Sequence, residues 1–185
     1  QFGNHFFKEG AKVIPGDLTY ISNFYAVQVE SDFLGIPVSL YLDELVGLKI
    51  RGETSGVVAI IRKVITATES DRGNITLYVD YYESNTNNVT RDFNDGENLI
   101  TDSNIAFGNT FISEGEGFAR TIPTDACSIG SAMGLNEGVY YIRGYFVNVN
   151  TETLILDQYT NTPSYRVGLD VIEEIINADI DPAIN

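Results

Sequence analysis

Between residues 138 and 169 the chain reads GVYYIRGYFVNVNTETLILDQYTNTPSYRVGL, three runs dense in β-branched and aromatic residues separated by polar turns. Residues 139–149 form the first run, Asn150-Thr151-Glu152 follows it, and Leu154-Ile155-Leu156 runs back. After Asn161-Thr162-Pro163 a third run begins at Tyr165. Short β-rich runs joined by short polar turns are the pattern of antiparallel strands. In residues 139–149 both alternating sets, Tyr141/Tyr145/Val147 and Tyr140/Ile142/Phe146, are apolar or aromatic. That predicts one central strand covered on both faces, with Gly144 marking a bulge or a close backbone approach.

A length of 185 residues suits one large domain or two small ones, and 43% hydrophobic with 11% aromatic residues is too apolar for a disordered chain. Seventeen glycines among short β-rich runs point to an all-β architecture with many turns. The formal net charge of -15 makes a phosphate backbone a poor partner, since the nearest thing to a cationic group, Arg51, Arg62, Lys63 and Arg72, is interspersed with acidic residues. The same charge favours solubility and selection of basic partners. A single cysteine, Cys127, rules out a disulfide within the chain and a thiolate metal cluster. No apolar run approaches the ~18 residues of a membrane-spanning helix, and no signal-peptide pattern is present. The start at Gln1 and the stop at Asn185 read as a fragment of a longer polypeptide.

Taken in order, Phe2, Phe6 and Phe7 form an aromatic patch expected to dock on this chain or a neighbour. Pro15 and Gly16 occupy the places a type II turn wants. Residues 18–29 alternate as a strand, and Ser39 is placed to cap one short helix over residues 40–46 that Gly47 would stop. Strands follow at 57–66, 75–82, 98–101 and 105–112, with a tight turn from Arg51 through Gly52 to Gly56. These predict a small β-barrel module at 38–117, inserted in an outer β-domain made of 1–37 and 118–185. The fold class expected is all-β, a mostly antiparallel sandwich or barrel with one short helix. Residues 124–135, rich in small side chains, fit either a close-packed strand or a helical turn. Residues 165–171 alternate with Tyr165, Val167, Leu169 and Val171 inward, as an edge strand open to strand addition. Gly144 and Gly168 are expected to be backbone-constrained.

None of the chemical motifs meets its requirements. His5, the only histidine, lies near the terminus, and nothing around Cys127 or any serine supports a nucleophilic site with it; Cys127 among small residues reads as a buried filler. Residues 92–103 fail as a calcium loop because Gly96 is fifth and Ser103 occupies the twelfth place, so the turn around Asp95 and Glu97 reads as polar punctuation. Asp43-Glu44, Glu114/Glu116 and Glu173-Glu174 read as surface charge, because neighbours on a strand point to opposite faces. Asn74 and Asn88 open glycosylation-like triplets, and residues 52–56 lack the lysine of a phosphate loop. No catalytic residue, cofactor site or metal site is expected.

Three stretches, VIPGDL at 13–18, IRGETSGV at 50–57 and GVYYIRGYFV at 138–147 continuing through LDQY at 156–159 to PSYRVGL at 163–169, resemble a family of tailed-bacteriophage virion proteins of the tail, baseplate or tail-fibre module. The middle stretch, with its following Asp95-Gly96-Glu97 turn, is similar to a small β-module recurring in phage structural proteins. The resemblance implies a non-enzymatic part of the virion, assembled in the host cytoplasm, that anchors or connects a distal receptor-binding region to the tail. It also implies self-association, usually as a homotrimer, and contacts with other tail or baseplate proteins. A host glycan met by the rest of the chain, or a carbohydrate-binding role for the Tyr-rich surface and loop 83–92, is the alternative. A virion-borne glycan hydrolase is a weaker one still, with Asp95 and Glu97 as its least unsuitable carboxylates.

Overall fold

The computed structural model describes residues 7–85 and 89–173. The longest of its strands, β2 (Leu18–Val29), follows the expected boundaries and organises the fold. Along Tyr25–Val29 it pairs with β7 (Ile75–Glu83), and along its other edge, from Leu18 to Val27, with β12 (Cys127–Leu135). From β7 the sheet continues through β6 (Val58–Ile65), β5 (Lys49–Gly52) and β8 (Asn98–Thr101) to β11 (Gly117–Arg120), and from β12 to β15 (Glu152–Asp157). Every pairing is antiparallel.

The sheet then closes on itself. Just after β11, Thr121 bridges Val29, Glu30 N–H donates to the Arg120 carbonyl at 2.9 Å and Ile122 N–H to the Gln28 carbonyl at 3.1 Å. Six strands, from β11 round to the inner half of β2, thus form a small ring whose edges are paired. The outer half of β2 leaves the ring and joins β12 and β15. Residues 38–117 supply most of the ring, while β2, β12 and β15 come from outside that segment, and the two sets share one sheet through the β2–β7 pair.

Alternation explains which side chains fill the ring. On β7, Ile75, Leu77 and Val79 point into it and Tyr78 points out; on β2, Val27 and Val29 point in, Phe24 and Ala26 out. On β6 the register slips between Ile61 and Lys63, so that Ala59 and Ile61 face the interior before the slip and Ile65 faces outward after it. A one-residue slip reverses every later side chain. The outward residues make a second cluster, in which Phe24 stacks on Tyr78 at 4.6 Å and Ala132 of β12 closes over them.

Residues 38–45 plug the ring. Val38, Tyr41, Leu42 and Leu45, at helical spacing, are all buried in it, and Tyr41 Oη donates to the Phe118 carbonyl at 2.6 Å. The expected helix over 40–46 is nevertheless two 3₁₀ turns, Val38–Leu40 and Leu42–Glu44, with Val46 exposed. Tyr41, at φ -134°, interrupts the spiral, and Ser39 makes no capping bond. Gly47 does end the segment, at φ 90°.

Three further expectations are corrected here. Residues 139–149 are two strands, β13 (Gly138–Ile142) and β14 (Tyr145–Val149), folded into a hairpin and joined by β1 (Ala11–Ile14) in a separate small sheet. Arg143 and Gly144, at φ 48° and 92°, are the two central residues of its turn, so the glycine reverses the chain where a bulge was expected. Apolar character on both faces had suggested burial, yet β14 lies at the sheet edge, largely exposed. Residues 105–112 are likewise a hairpin, β9 (Ile105–Phe107) and β10 (Thr110–Ile112), turning at Gly108. The turn at Pro15-Gly16 is not type II, since Gly16 lacks the positive φ that type requires. Residues 127–135, left open between strand and helix, are the strand β12. A last small ribbon pairs β3 (Asp32–Phe33) with β4 (Ile36–Pro37). No helix among the described residues is long and apolar enough to cross a membrane.

Because Leu77 is fully buried in the ring and Leu154 on β15 is half exposed, Leu77→Ala is expected to lower stability by about 2–5 kcal/mol. Leu154→Ala should cost less than about 1 kcal/mol. Urea unfolding of both variants checks the order, and equal losses would contradict this placement of the core.

Candidate interaction surface

The hairpin of β13 and β14 collects the residues nearest both ends of the described chain. Phe7 packs on Tyr141 at 5.7 Å and edge-on against Phe146 at 5.6 Å. Both carboxylate oxygens of Glu9 accept from the Arg143 N–H at 2.9 Å, and the Arg143 guanidinium pairs with Glu173. Of the expected aromatic patch, Phe7 is therefore docked on this chain, while Phe2 and Phe6, like His5, lie outside the described residues. The hairpin leaves Tyr145 71% and Phe146 57% exposed.

The other face of this small sheet looks onto the outer ends of β2, β12 and β15. Between them is a cavity of about 550 Å³ lined by Leu18, Leu135, Tyr140, Leu154 and Leus and Vals of residues 167–171, with Lys12 and Glu152 at its margin. Gly16 sits at the junction of the two sheets, where an added Cβ would collide with the Asn136 carbonyl, and Gly138 lies against Gly16 in turn. Close backbone approach, not turn type, is what demands glycine at position 16.

Residues 165–171 do not form the expected edge strand. Tyr165 Oη reaches Asp157 at 3.4 Å and Val171 N–H bonds the Asp170 side chain, but no strand pairing joins the segment to β15. Tyr165 and Leu169, expected inward, are exposed, and Val167 is half buried beside the cavity. Alternation decides which side chains share a face; a ladder also needs an edge at bonding distance, and this segment passes β15 at side-chain distance. Gly168 has a negative-φ backbone and open space around its Cα, so nothing there requires glycine.

The turn at 51–56 is held by a residue that sequence reading placed in a mere polar loop. Glu97 is 4% exposed. Its Oε2 accepts from Thr54 N–H at 2.9 Å, Thr54 Oγ1 at 2.8 Å and Ser55 N–H at 2.8 Å, and its Oε1 from Asn94 N–H at 2.7 Å. No cationic side chain pairs with it among the described residues. Burial pushes its pKa up, but the hydrogen bonds from Ser55, Asn94 and Thr54 outweigh it and hold the carboxyl below its ordinary 4.5. Gly52 is required here because a Cβ would meet the Ser55 hydroxyl and the Glu97 carboxylate; Gly56 turns at φ 67°. Asp95 serves the neighbouring turn, accepting from Ala126 N–H at 2.9 Å and Asp125 N–H at 3.1 Å. Both carboxylates are thus committed to backbone amides.

The remaining candidates are also absorbed structurally. Cys127 is held between the Tyr81 hydroxyl, 3.6 Å away, and the Phe93 carbonyl, and burial pushes its thiol up to about 11. Such a thiol stays protonated at neutral pH. Asn74 donates to Gln28, and Asn88 lies outside the described residues. Glu116 accepts from Ser113 N–H within its own turn. Among the described residues no three His, Cys, Asp or Glu side chains are grouped to hold a metal ion. A cluster the sequence did not announce clasps the chain after β15 to the β6–β7 turn: Tyr159 Oη lies 2.5 Å from Ser70 Oγ and 2.9 Å from Thr76 Oγ1, with Arg72 over its ring.

Comparison with protein-family models, curated proteins and solved structures returns no match. The class defined by the fold is an all-β, sandwich-like protein in which a small ring of strands shares one long strand with an outer sheet.

Replacing Glu97 by Gln removes a charge that four donors address and leaves some of them unpaired, so Glu97→Gln should lose about 2–3 kcal/mol at neutral pH. Because the folded pKa lies below the unfolded one, the contribution is full above about pH 4.5 and disappears as pH falls through the folded value. Chemical unfolding from neutral to acid pH should therefore show the wild type converging on the variant. A constant gap would contradict the assignment. Gly144→Ala, at positive φ, should cost roughly 1–2 kcal/mol, read from thermal unfolding against Gly168→Ala, which is expected to be neutral.

Proposed function

We propose that this chain is a structural and interaction module of a tailed-phage virion, anchoring or connecting a distal receptor-binding region to the tail or baseplate. The observation that carries the reading is the aromatic surface of the β13–β14 hairpin, which bears a single charge. In a chain of net charge -15, residues 138–151 carry one charge, that of Arg143. An acidic body keeps molecules apart over most of its surface, and a neutral apolar patch is where a protein partner gains most by docking. The stretches that carry the family resemblance also lie together in pairs: Ile14 pairs with Val139 beside the Gly16–Gly138 contact, and Glu97 ties its own turn to residues 52–55.

In this reading the partners are copies of the chain and other tail or baseplate proteins, and the location is the virion. The ring of strands is a rigid support, and contact with a host glycan belongs to the distal region. Mass spectrometry of purified virions of the encoding phage tests it. The protein is expected in tail fractions at a fixed ratio to known tail proteins; its absence from intact virions would sink the proposal.

A further inference from the structure

Among the described residues the small sheet ends in a strand that no further strand pairs. β14 pairs with β13 from Tyr145 to Val149, and among the described residues no backbone hydrogen bond reaches its other edge. The register places Ile142 opposite Tyr145 around the two-residue turn. In such a hairpin the closing pair is hydrogen-bonded and pairs alternate thereafter, so Tyr145, Val147 and Val149 bond β13. Phe146 and Asn148 therefore turn their N–H and C=O groups to the open side.

Natural sheets blunt open edges with charge, proline, bulges or short length. The other strands of four residues or more that end a sheet follow this among the described residues. β1 carries Lys12, a register slip and Pro15 after it; β11 carries Arg120 and a slip at Gly117; β15 carries Glu152 and Asp157. β14, Tyr-Phe-Val-Asn-Val, has none of these devices, and its side chains stay largely exposed, Val147 by 38%. An edge left in this state reads as one that is paired in the working molecule.

We propose that β14 pairs antiparallel with β14 of a second copy of this chain, across a twofold axis at Val147. Charge selects this partner. The strand carries no charge, so two copies meet here without the acid-on-acid contact that a net charge of -15 imposes elsewhere. In the proposed register Tyr145 lies opposite Val149 of the second copy and Phe146 opposite Asn148, which exchange four backbone hydrogen bonds in all. Arg143 falls opposite Thr151 of the second copy, next to its Glu152, so the ends of the pair are of opposite sign. An antiparallel edge is self-complementary, and its closed symmetry is twofold. A homotrimer, which the family resemblance implies, would need a heterologous contact made elsewhere.

The test is the mass of the full chain by light scattering and sedimentation over a range of concentrations. It is run on the wild type, Asn148→Pro and Val147→Lys. Asn148→Pro removes an outward N–H and leaves the bonds to β13 intact; Val147→Lys puts like charges face to face on the axis. The wild type is expected to be a dimer, and each variant that keeps the wild-type circular dichroism should weaken dimerisation about tenfold or more. A monomeric or trimeric wild type, or a dimer that both variants preserve, would overturn the pairing. A trimer would leave the virion proposal standing, whereas absence from virions would end that proposal and leave the edge pairing untouched.

Discussion

The fold depends on one strand belonging to two assemblies. β2 is twelve residues long, and its inner half is bonded on both edges, to β7 and to β12 with the Arg120–Ile122 segment, while its outer half is bonded to β12. Its two faces are equally divided, Val27 and Val29 into the ring and Phe24 and Ala26 into the cluster outside it. The ring interior and the outer layer are therefore built on the same backbone. Any shift of β2 by one residue would exchange these sets and expose both cores at once. Twist and closure follow from that constraint: the strands cannot lie flat when the first and last of six must meet at Val29 and Thr121.

Polar interactions finish what packing begins. A buried carboxylate without a counter-ion is costly unless its lone pairs are filled. Glu97 meets the condition by taking amides and a hydroxyl from two turns distant in sequence, which also explains why Gly52 cannot carry a side chain. Asp95 and Tyr159 work in the same manner on neighbouring loops. Buried polar groups satisfied in this way add specificity to a core whose apolar contacts alone would tolerate alternatives. The turns of this molecule are held in place for that reason.

The hairpin end behaves differently. Its aromatic side chains are shared between an inner face on Phe7 and an open edge, and the segment at 165–171 runs alongside without joining a ladder. Apolar character here is surface. The composition of β14 and that of a buried strand are alike, and the difference lies in whether another part of the chain arrives to cover it.

Much of the fold was legible in the residues. Period-two alternation and Gly, Asn and Asp punctuation located β2, β6, β7, β8 and the run at 154–156, because those signals are local and the backbone obeys them wherever the strand ends up. All-β class followed from the same pattern. What the residues left undecided needed a partner in space. Gly144 read as a bulge or a close backbone approach within one strand until β13 and β14 folded back on each other, and residues 40–46 had the spacing of a helix but the backbone break of two 3₁₀ turns. Glu97 looked like loop polarity because its four donors come from Thr54 and Ser55, more than forty positions away, and from Asn94 in its own turn. The strand-like segment at 165–171 lacked only an edge. The chain's local chemistry thus determined where strands and turns fall. Tertiary structure alone decided which faces are buried, since burial belongs to pairs of elements and a sequence states only one member of each pair at a time.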